Sequence, residues 1–287
     1  MPIDTIAFQG WPGANSDMAC RQVFPDMETL PCRAFEDALG AVRDGRAGLA
    51  MIPIENSVAG RVADIHHLLP HSGLHIIGEY FQRVNHQLMA VPGAKLADIR
   101  QVHSHVHAIG QCRTLIRSLG IEPVIHADTA GAAQMVAERK DPTIAAIAST
   151  LAAELNGLEI LRRDIEDAEH NTTRFVIMAP EPKWPAAGFG PTITSFVFEV
   201  RSVSAALYKA MGGFATNGVN MTKLESYMVD GRFTQAQFFA DVEGHPEDRG
   251  VRHAFEELKF FSRHFQIMGV YPADPFRDDP SQAPGDD

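Results

Sequence analysis

The chain has few cysteines and no long apolar run, and both absences restrict its class. Its 287 residues include three cysteines, Cys20, Cys32 and Cys112, with no CxxC pair. This odd, dispersed set predicts neither a disulfide framework nor a cysteine metal site. No apolar stretch approaches the roughly 20 residues of a membrane-spanning helix, and no secretory signal is visible at residues 1–5. We therefore expect reduced thiols, no membrane partner and a cytoplasmic location.

Blocks of basic residues are also lacking, although the chain has a formal net charge of -11. Because nucleic-acid binding depends on a basic surface, we expect no nucleic-acid partner. The net charge would also repel an anionic substrate. Such a substrate would therefore need a local cation, for example Arg174, or the N-terminus of a helix.

The apolar content is sufficient for two globular domains, with 45% hydrophobic and 21% charged residues. Up to about residue 180, short apolar runs alternate with amphipathic stretches, which favours a parallel α/β fold. The predicted strands are residues 3–8, 49–54, 74–81, 87–91, 99–103, 123–126, 143–148 and 175–178. The predicted helices are residues 35–42, 62–69 and 108–119. Ligands of such folds bind beyond the carboxyl ends of the strands.

The pattern changes after a segment rich in proline and glycine, which predicts a linker at residues 181–191. The following elements are predicted as strand 192–200, helix 203–216, strand 219–228, a turn at Asp230-Gly231, strand 234–242, helix 253–265 and strand 267–270. This βαββαβ order is typical of a ferredoxin-like domain. The tail from Ala273 onward is acidic and poor in apolar residues, so we expect residues 273–287 to be disordered.

Polar residues follow one predicted strand directly, at Glu55, Asn56 and Ser57. A carboxylate, an amide and a hydroxyl at the end of a strand can position a ligand and relay protons. The alternative is that Asn56 or Ser57 caps the next helix. Glu55 could donate a proton or orient its neighbours, and we favour orientation.

Two further strand ends carry polar residues. Ser104 and His105 precede a predicted helix whose first N–H groups suit a carboxylate, and His105 is either an acid or a helix-start residue. Histidines at 103, 105 and 107 share a strand face, but a metal site is the less favoured interpretation because a further ligand is lacking. The string from Asp128 to Ala133 either admits a ligand to backbone N–H groups or simply begins a helix with an aspartate cap.

The string from Asn171 to Phe175 places a hydroxyl, a cation and an aromatic ring at the start of an apolar run. The string thus joins an anion clamp to a proton donor, because Arg174 can hold a carboxylate with two parallel bonds and the Thr173 hydroxyl can donate a hydrogen bond. Phe175 offers an apolar wall beside them. The alternative is an ordinary strand start with an exposed Arg174 and a core Phe175.

In combination, these strings resemble the prephenate dehydratase family, from residue 3 to about residue 270. The matching strings are residues 8–10 with 13–16, 53–57, 104–105 with 111–112, 128–133 and 171 with 173–175. The string Asn220–Ser226 is similar to ACT regulatory domains. The resemblance implies loss of water and carbon dioxide from prephenate, giving phenylpyruvate in phenylalanine biosynthesis. The implied enzyme is a hydro-lyase that needs neither a metal nor a cofactor.

The resemblance also implies a fold and a set of roles. The expected fold is a two-lobed catalytic domain of the type 2 periplasmic-binding-protein kind, residues 1–180, followed by a ferredoxin-like ACT domain, residues 192–272. Lobe one would comprise residues 1–76 with 157–180, and lobe two residues 77–156. The implied catalytic residues are Thr173, Glu55 and His105. The implied substrate-binding residues are Asn56, Ser57, Ser104, Gln111, Thr129, Ala130, Arg174 and Phe175. The implied regulatory residues are Ala205, Ala206, Leu207, Asn220, Leu224, Glu225 and Ser226.

Departures from the family pattern leave alternatives open. The usual Gly-Ala-Leu-Val and Glu-Ser-Arg-Pro strings of the ACT domain appear here as residues 205–208 and 225–228, Ala-Ala-Leu-Tyr and Glu-Ser-Tyr-Met. Phenylalanine is the expected effector, and the alternative is an oligomerisation module without an effector. A homodimer or homotetramer is expected because the sheet edges of small domains pair readily. Two rival functions are arogenate dehydratase and a noncatalytic two-lobed sensor of small molecules.

Overall fold

The structure is a computed structural model that describes residues 4–62, 65–168, 170–201, 203–229 and 232–278. Its strands are β1 (Thr5–Gln9), β2 (Glu28–Cys32), β3 (Leu49–Asn56), β4 (Gly60–Arg61), β5 (His75–Arg83), β6 (Gln87–Ala90), β7 (Gln101–Ser104), β8 (Glu122–Ile125), β9 (Ile144–Ala148), β10 (Glu159–Arg162), β11 (Thr172–Ala179), β12 (Thr192–Val200), β13 (Met221–Val229), β14 (Arg232–Glu243) and β15 (Ser262–Pro272). Its helices are α1 (Asn15–Val23), α2 (Phe35–Arg43), α3 (Ile65–Leu68), α4 (Val106–Gln111), α5 (Arg113–Leu119), α6 (Thr129–Arg139), α7 (Thr150–Asn156), α8 (Ala206–Thr216) and α9 (Arg249–Phe261).

The chain divides into two compact units by its internal contacts. Unit 1 comprises residues 1–62 with 80–175, and unit 2 comprises residues 63–79 with 176–287. The predicted domain limits at residues 180, 181–191 and 192–272 stay a prediction.

Unit 1 contains two groups of strands, which we call lobe one and lobe two. In lobe one, β1 lies between β2 and β3 and is parallel to both, and β4 returns antiparallel to β3. In lobe two, five strands lie in the order β10-β6-β9-β7-β8. The central strand β9 is parallel to β7 and antiparallel to β6. Strand carboxyl ends in each lobe therefore lead into loops that can carry a site.

The sequence of β9 explains why it lies at the centre of lobe two. All five of its residues are buried, because both faces of the strand are covered. Ala145 and Ile147 pack in the same cluster as Cys112 and Ile116. The alternate residues Ile144, Ala146 and Ala148 pack in a second cluster with α6 and α7. A continuous apolar run is thus what a central strand between two helical layers requires.

Unit 2 contains the βαββαβ order β12-α8-β13-β14-α9-β15. Strand β12 lies between β14 and β15, and β13 pairs with the other edge of β14. Aromatic rings from β12, α8 and α9 form the core on the helical face, where Phe196 lies 5.9 Å from Phe214 and 5.0 Å from Phe255 between ring centroids. The predicted fold class, two lobes and a ferredoxin-like domain, is confirmed.

Several predicted boundaries were wrong in detail. The predicted helix 108–119 is two helices, because Cys112 leaves helical geometry at φ -124° and ψ 26°. The predicted helix 253–265 ends at Phe261, since Ser262 already pairs with Val200 in the sheet. Strands β2 and β10 were not predicted. Pro31 lies inside β2, and proline is a residue that usually argues against a strand.

Other predictions fall at the limits of the described residues. The turn at Asp230-Gly231 and residues 279–287 of the expected disordered tail lie outside them. Within the same tail, Pro275–Asp278 form a 3-10 turn. The Arg277 guanidinium donates to both carboxylate oxygens of Glu79, at 2.6 and 2.8 Å, and thereby ties the turn to β5.

Ala205 adopts the left-handed conformation immediately before α8, at φ 59° and ψ 26°. This conformation costs a residue with a Cβ about 1–2 kcal/mol, and glycine avoids most of that cost. We expect Ala205→Gly to raise the free energy of unfolding by about 0.5–1 kcal/mol after the larger unfolded-state entropy of glycine is subtracted. Ala215→Gly, at an exposed position within α8, should lower it by a similar amount. Urea unfolding of both variants tests this, and a destabilised Ala205→Gly would contradict it.

Candidate active site

A cavity of about 900 Å3 lies between the two lobes of unit 1. Lobe one contributes the loop after β1 and the end of β2, and lobe two contributes the start of α6 and the end of α7. The lining residues are Gln9, Gly10, Trp11, Pro12, Pro31, Cys32, Arg33, Ala127, Asp128, Gln134, Leu155 and Asn156. Its volume falls in the range of small-molecule sites.

Asn56 and Thr173, two of the predicted site residues, are hydrogen-bonded to each other. The Asn56 Nδ2 atom donates to Thr173 Oγ1 at 2.9 Å and to Asn171 Oδ1 at 2.8 Å. The Asn56 Oδ1 atom accepts the backbone N–H groups of Val58 and Ala59, which fixes the orientation of the amide. Because Thr173 Oγ1 accepts from Asn56, its own O–H hydrogen is directed elsewhere. Among the described residues, that hydrogen has no protein acceptor.

The same network reaches lobe two through Asn171 and Gln111. Asn171 Nδ2 donates to Gln111 Oε1 at 3.0 Å, and His86 Nε2 lies 2.7 Å from the same oxygen. Burial lowers the pKa of His86, although Gln111 and Glu166 act in the opposite direction. A neutral His86 with its hydrogen on Nε2 completes the pattern, because Gln111 Oε1 then accepts twice.

Glu55 and Arg174 form an ion pair, with 2.8 Å between Arg174 Nη1 and Glu55 Oε1. The Arg174 side chain is only 3% exposed. Successive strand residues point to opposite faces, so Arg174 lies on the face of β11 opposite to Thr173 and Phe175. The alternative of an exposed Arg174 was therefore wrong, and that of a core Phe175 was right, since this ring is fully buried.

Ser57, Ser104 and His105, three further predicted site residues, all form hydrogen bonds to backbone groups. The Ser57 hydroxyl donates to the carbonyl of His170 at 2.5 Å and accepts from the Thr172 N–H. Ser104 is 0% exposed, and its hydroxyl donates to the Ile147 carbonyl at 2.6 Å. His105 Nδ1 accepts from the N–H of His107, so His105 caps α4. Burial is the main cause of a lowered pKa of His105, and the electrostatic effect of the neighbouring His107 lowers it further.

The predicted aspartate cap on the helix after β8 is present. Asp128 Oδ1 accepts from the Gly131 N–H at 2.6 Å, and α6 begins at Thr129. Thr129 is half-buried and Ala130 is fully buried. Asp128 lines the cavity, but neither Thr129 nor Ala130 belongs to its lining. The predicted substrate contacts of Ser104, Thr129 and Ala130 stay predictions.

The predicted regulatory residues separate into two groups in unit 2. Ala205, Ala206 and Leu207 line a cavity of about 560 Å3 before and within the first turn of α8. Asn220 and β13 residues Leu224, Glu225 and Ser226 do not belong to its lining. Glu225 instead lies 3.6 Å from the ammonium of Lys223.

Comparison with known proteins decides the family. The family model for prephenate dehydratase matches residues 6–183. The chain belongs to the prephenate dehydratase family. It is thus a carbon–oxygen hydro-lyase of aromatic amino acid biosynthesis, as the resemblance implied.

Individual relatives cover nearly the whole chain. A protein of Komagataeibacter europaeus named bifunctional N-acyl-homoserine lactone acylase/prephenate dehydratase is 56% identical, over 96% of this chain and 98% of its own length. Arogenate dehydratase/prephenate dehydratase 1 of Arabidopsis thaliana is 39% identical, over 95% and 73%. The prephenate dehydratase structure from Arthrobacter aurescens, in complex with L-Phe, is 32% identical, with a TM-score of 0.85 over 94% of this chain and 90% of that one.

The described residues include neither a metal-binding cluster nor a membrane-spanning helix. No group of three or more histidine, cysteine or acidic residues is arranged there to hold a metal ion, so the histidines of β7 and α4 do not form such a group. No described helix combines the length and hydropathy of a membrane span.

Sequence reasoning did not assign roles to three residues that belong to the hydrogen-bonded network around Asn56 and Gln111. His86 and Glu166 belong to no recognisable sequence motif. The carboxylate of Glu166 accepts hydrogen bonds from Asn85 Nδ2 and from the backbone N–H of His86. Asn171 belongs to one of the matching strings but had no predicted role. The sequence signal for Asn171 was its position directly before the apolar run of β11.

Gly13 lies at a close contact between lobe one and helix α7 of lobe two. Its φ is +87°, and a Cβ placed there would lie 2.7 Å from the Ala152 Cα of α7. The Ser149 hydroxyl, which caps α7, donates to the Gly13 carbonyl. We expect Gly13→Ala to lower the free energy of unfolding by about 1.5–4 kcal/mol, combining the net cost of left-handed strain with overpacking.

A matched glycine separates these two contributions in urea unfolding. Gly45 has a φ of +73°, but no neighbouring atom lies within 4 Å of the position that a Cβ would take there. Gly45→Ala should therefore lower the free energy of unfolding only by the conformational cost, about 0.5–1 kcal/mol after the smaller unfolded-state entropy of alanine is counted. Equal destabilisation by the two substitutions would show that the lobes do not meet closely at Gly13.

Proposed function

We propose that the chain catalyses the decarboxylating dehydration of prephenate to phenylpyruvate, carbon dioxide and water. The observation that carries this proposal is the direction of the hydrogen bond between Asn56 and Thr173. Asn56 donates to the Thr173 oxygen, so the Thr173 hydroxyl is prepared to donate to a substrate. A hydroxyl donor is what the departing allylic hydroxyl of prephenate needs.

The reaction balances without an oxidant or a cofactor. The bond from the ring to its carboxylate breaks, and carbon dioxide leaves. The released electron pair forms a new ring double bond, the adjacent ring double bond shifts by one position, and the carbon–oxygen bond breaks as its electron pair leaves with the oxygen. The ring is then aromatic, and the hydroxide takes up one proton, supplied by solvent, to become water. Thr173 stabilises the departing oxygen by a hydrogen bond, and the proton reaches it through a relay because a threonine hydroxyl is too weak an acid.

We assign Glu55 and Arg174 a positioning role beside this donor. Their ion pair links β3 to β11, the two strands that carry Asn56 and Thr173. Glu55 accepts a hydrogen bond from Arg174 Nη1 at 2.8 Å, which supports a positioning role for this carboxylate.

Control by phenylalanine is the second part of the proposal. The support is the ferredoxin-like order of unit 2 and the cavity at Ala205–Tyr208. The related structure from Arthrobacter aurescens contains L-Phe. The coupling free energy between an effector site and a substrate site is typically about 1–3 kcal/mol. A homodimer or homotetramer in the cytoplasm also remains part of this proposal.

The test is to incubate the purified protein with prephenate and, separately, with arogenate, each with and without phenylalanine. We expect phenylpyruvate to form from prephenate, faster than phenylalanine forms from arogenate, and added phenylalanine to slow the reaction. Preferred turnover of arogenate would replace the proposed substrate. Turnover of neither would favour the noncatalytic sensor.

A second candidate activity is N-acyl-homoserine lactone acylase. The supporting observation is the 56% identity, over 98% of its length, to a relative whose name includes that activity. The same preparation should then release a fatty acid from an N-acyl-homoserine lactone. Release by wild type and by Thr173→Ala at equal rates would separate this activity from the dehydratase site, and no release by either would eliminate it.

A further inference from the structure

His86 is a buried histidine, 4% exposed, in the segment between β5 and β6. Its backbone N–H donates to the Glu166 carboxylate at 2.8 Å, and the same carboxylate accepts from Asn85 Nδ2 at 2.9 Å. On the ring, His86 Nε2 lies 2.7 Å from Gln111 Oε1. Both the backbone and the ring are therefore held, so this histidine can fix the orientation of the group that it contacts.

The direction of the contact between His86 and Gln111 is decided at the far end of the network. Two backbone N–H groups donate to Asn56 Oδ1, so Asn56 must present its nitrogen to Asn171, and it donates to Asn171 Oδ1 at 2.8 Å. Asn171 must then present its own nitrogen to Gln111, at 3.0 Å. Because an amide oxygen only accepts, Gln111 Oε1 is an acceptor for His86, which must carry a hydrogen on Nε2.

This orientation leaves Gln111 with two hydrogens to donate. Gln111 is half-buried, and its Nε2 atom has no acceptor among the described residues. Each amide oxygen of the network, in contrast, already accepts at least one hydrogen bond, and so does Thr173 Oγ1. The network therefore offers N–H and O–H donors to a ligand, which suits a substrate whose polar atoms are carboxylate, carbonyl and hydroxyl oxygens.

We propose that His86 is a positioning residue of the dehydratase, which holds the Gln111 oxygen so that Gln111 Nε2 donates to an oxygen of the substrate. This role rests on the dehydratase function proposed above. His86 acts through Gln111 and does not touch the substrate. Without its donor, Gln111 Oε1 keeps Asn171 as its only partner among the described residues, and the amide is free to turn away.

Glutamine and asparagine at position 86 separate the donor from the rest of the side chain. The amide nitrogen in His86→Gln is as many bonds from the backbone as the histidine Nε2, so the donor to Gln111 is retained. The amide nitrogen in His86→Asn corresponds to Nδ1 and does not reach Gln111. We expect His86→Asn to raise KM for prephenate by about five- to tenfold, the effect of one lost hydrogen bond, and His86→Gln to stay within about twofold.

The turnover number distinguishes this role from that of Asn56. The Thr173 hydroxyl is oriented by Asn56, which its own backbone contacts hold in place without His86. We therefore expect kcat of His86→Asn to stay within about twofold of wild type. In a Gln111→Ala background, His86→Asn should raise KM by less than about twofold, because its effect passes through Gln111.

The tautomer of His86 is a readout that needs no substrate. Nitrogen-15 chemical shifts of histidine-labelled protein report which ring nitrogen carries the hydrogen, and the signal that is missing in His86→Gln belongs to His86. The measurement is made at about pH 7.5, where the ring is neutral because burial lowers its pKa. We expect the hydrogen on Nε2.

A raised KM in His86→Asn that His86→Gln restores, together with a hydrogen on Nε2, supports the proposal. An unchanged KM in His86→Asn, an equal rise in both variants, or a hydrogen on Nδ1 overturns it. Wild-type turnover of prephenate with unchanged constants in His86→Asn rejects the His86 role alone. Absence of turnover of prephenate and arogenate by wild type rejects the proposed function and the His86 role with it.

Discussion

Thr173→Ala is expected to lower kcat for prephenate by about 10²-fold or more, with an unchanged fold. The substitution removes the hydroxyl that donates to the departing oxygen, and this loss affects the transition state more than the bound substrate. KM should therefore change little. Steady-state kinetics of phenylpyruvate formation measure both constants.

Thr173→Ser is the matched control for this prediction. Serine retains the hydroxyl and can still accept from Asn56 Nδ2, so we expect its kcat to stay within about tenfold of wild type. A serine variant as slow as the alanine variant would assign the effect to packing of the methyl group. Normal turnover in Thr173→Ala would remove Thr173 from the mechanism.

Asn56→Asp is expected to reduce kcat by a similar factor, about 10²-fold, although Asn56 itself need not touch the reacting atoms. The substituted carboxylate still accepts the N–H groups of Val58 and Ala59, which Asn56 Oδ1 accepts now. It cannot donate to Thr173, so the Thr173 hydroxyl would turn and donate to the carboxylate instead. The donor to the substrate is lost without removal of Thr173.

A double-variant cycle distinguishes this positioning role from a merely structural one. If Asn56 acts through Thr173, the variant carrying both Asn56→Asp and Thr173→Ala should be about as slow as either single variant. Independent losses that multiply to about 10⁴-fold would contradict the shared role. Thermal unfolding of the three variants checks that the fold is retained.

Several predicted site residues lie where an apolar run begins or ends. Asn56 ends β3, Ser104 ends β7, and Thr173 lies at the start of β11. Strand ends are visible as a change from apolar to polar residues. The hydrogen bond between Asn56 and Thr173 was not visible, because it joins residues 117 positions apart and depends on side-chain rotamers.

The environment of Arg174 could be predicted only in part from the sequence. The alternation of side chains along a strand already places Arg174 and Thr173 on opposite faces. What the sequence could not supply was Glu55 as the partner of Arg174, since their contact spans 119 residues. The same holds for His86, whose role follows from its contact with Gln111 and not from any motif.

The central claim is that the Thr173 hydroxyl, held through its oxygen by Asn56, donates to the hydroxyl that leaves the substrate. A crystal structure of the wild-type protein with an unreactive prephenate analogue that retains this hydroxyl tests it most directly. We predict about 2.6–3.2 Å between Thr173 Oγ1 and the analogue hydroxyl oxygen, with the Asn56 bond retained. An analogue bound with that oxygen out of hydrogen-bonding reach of Thr173 would contradict the claim.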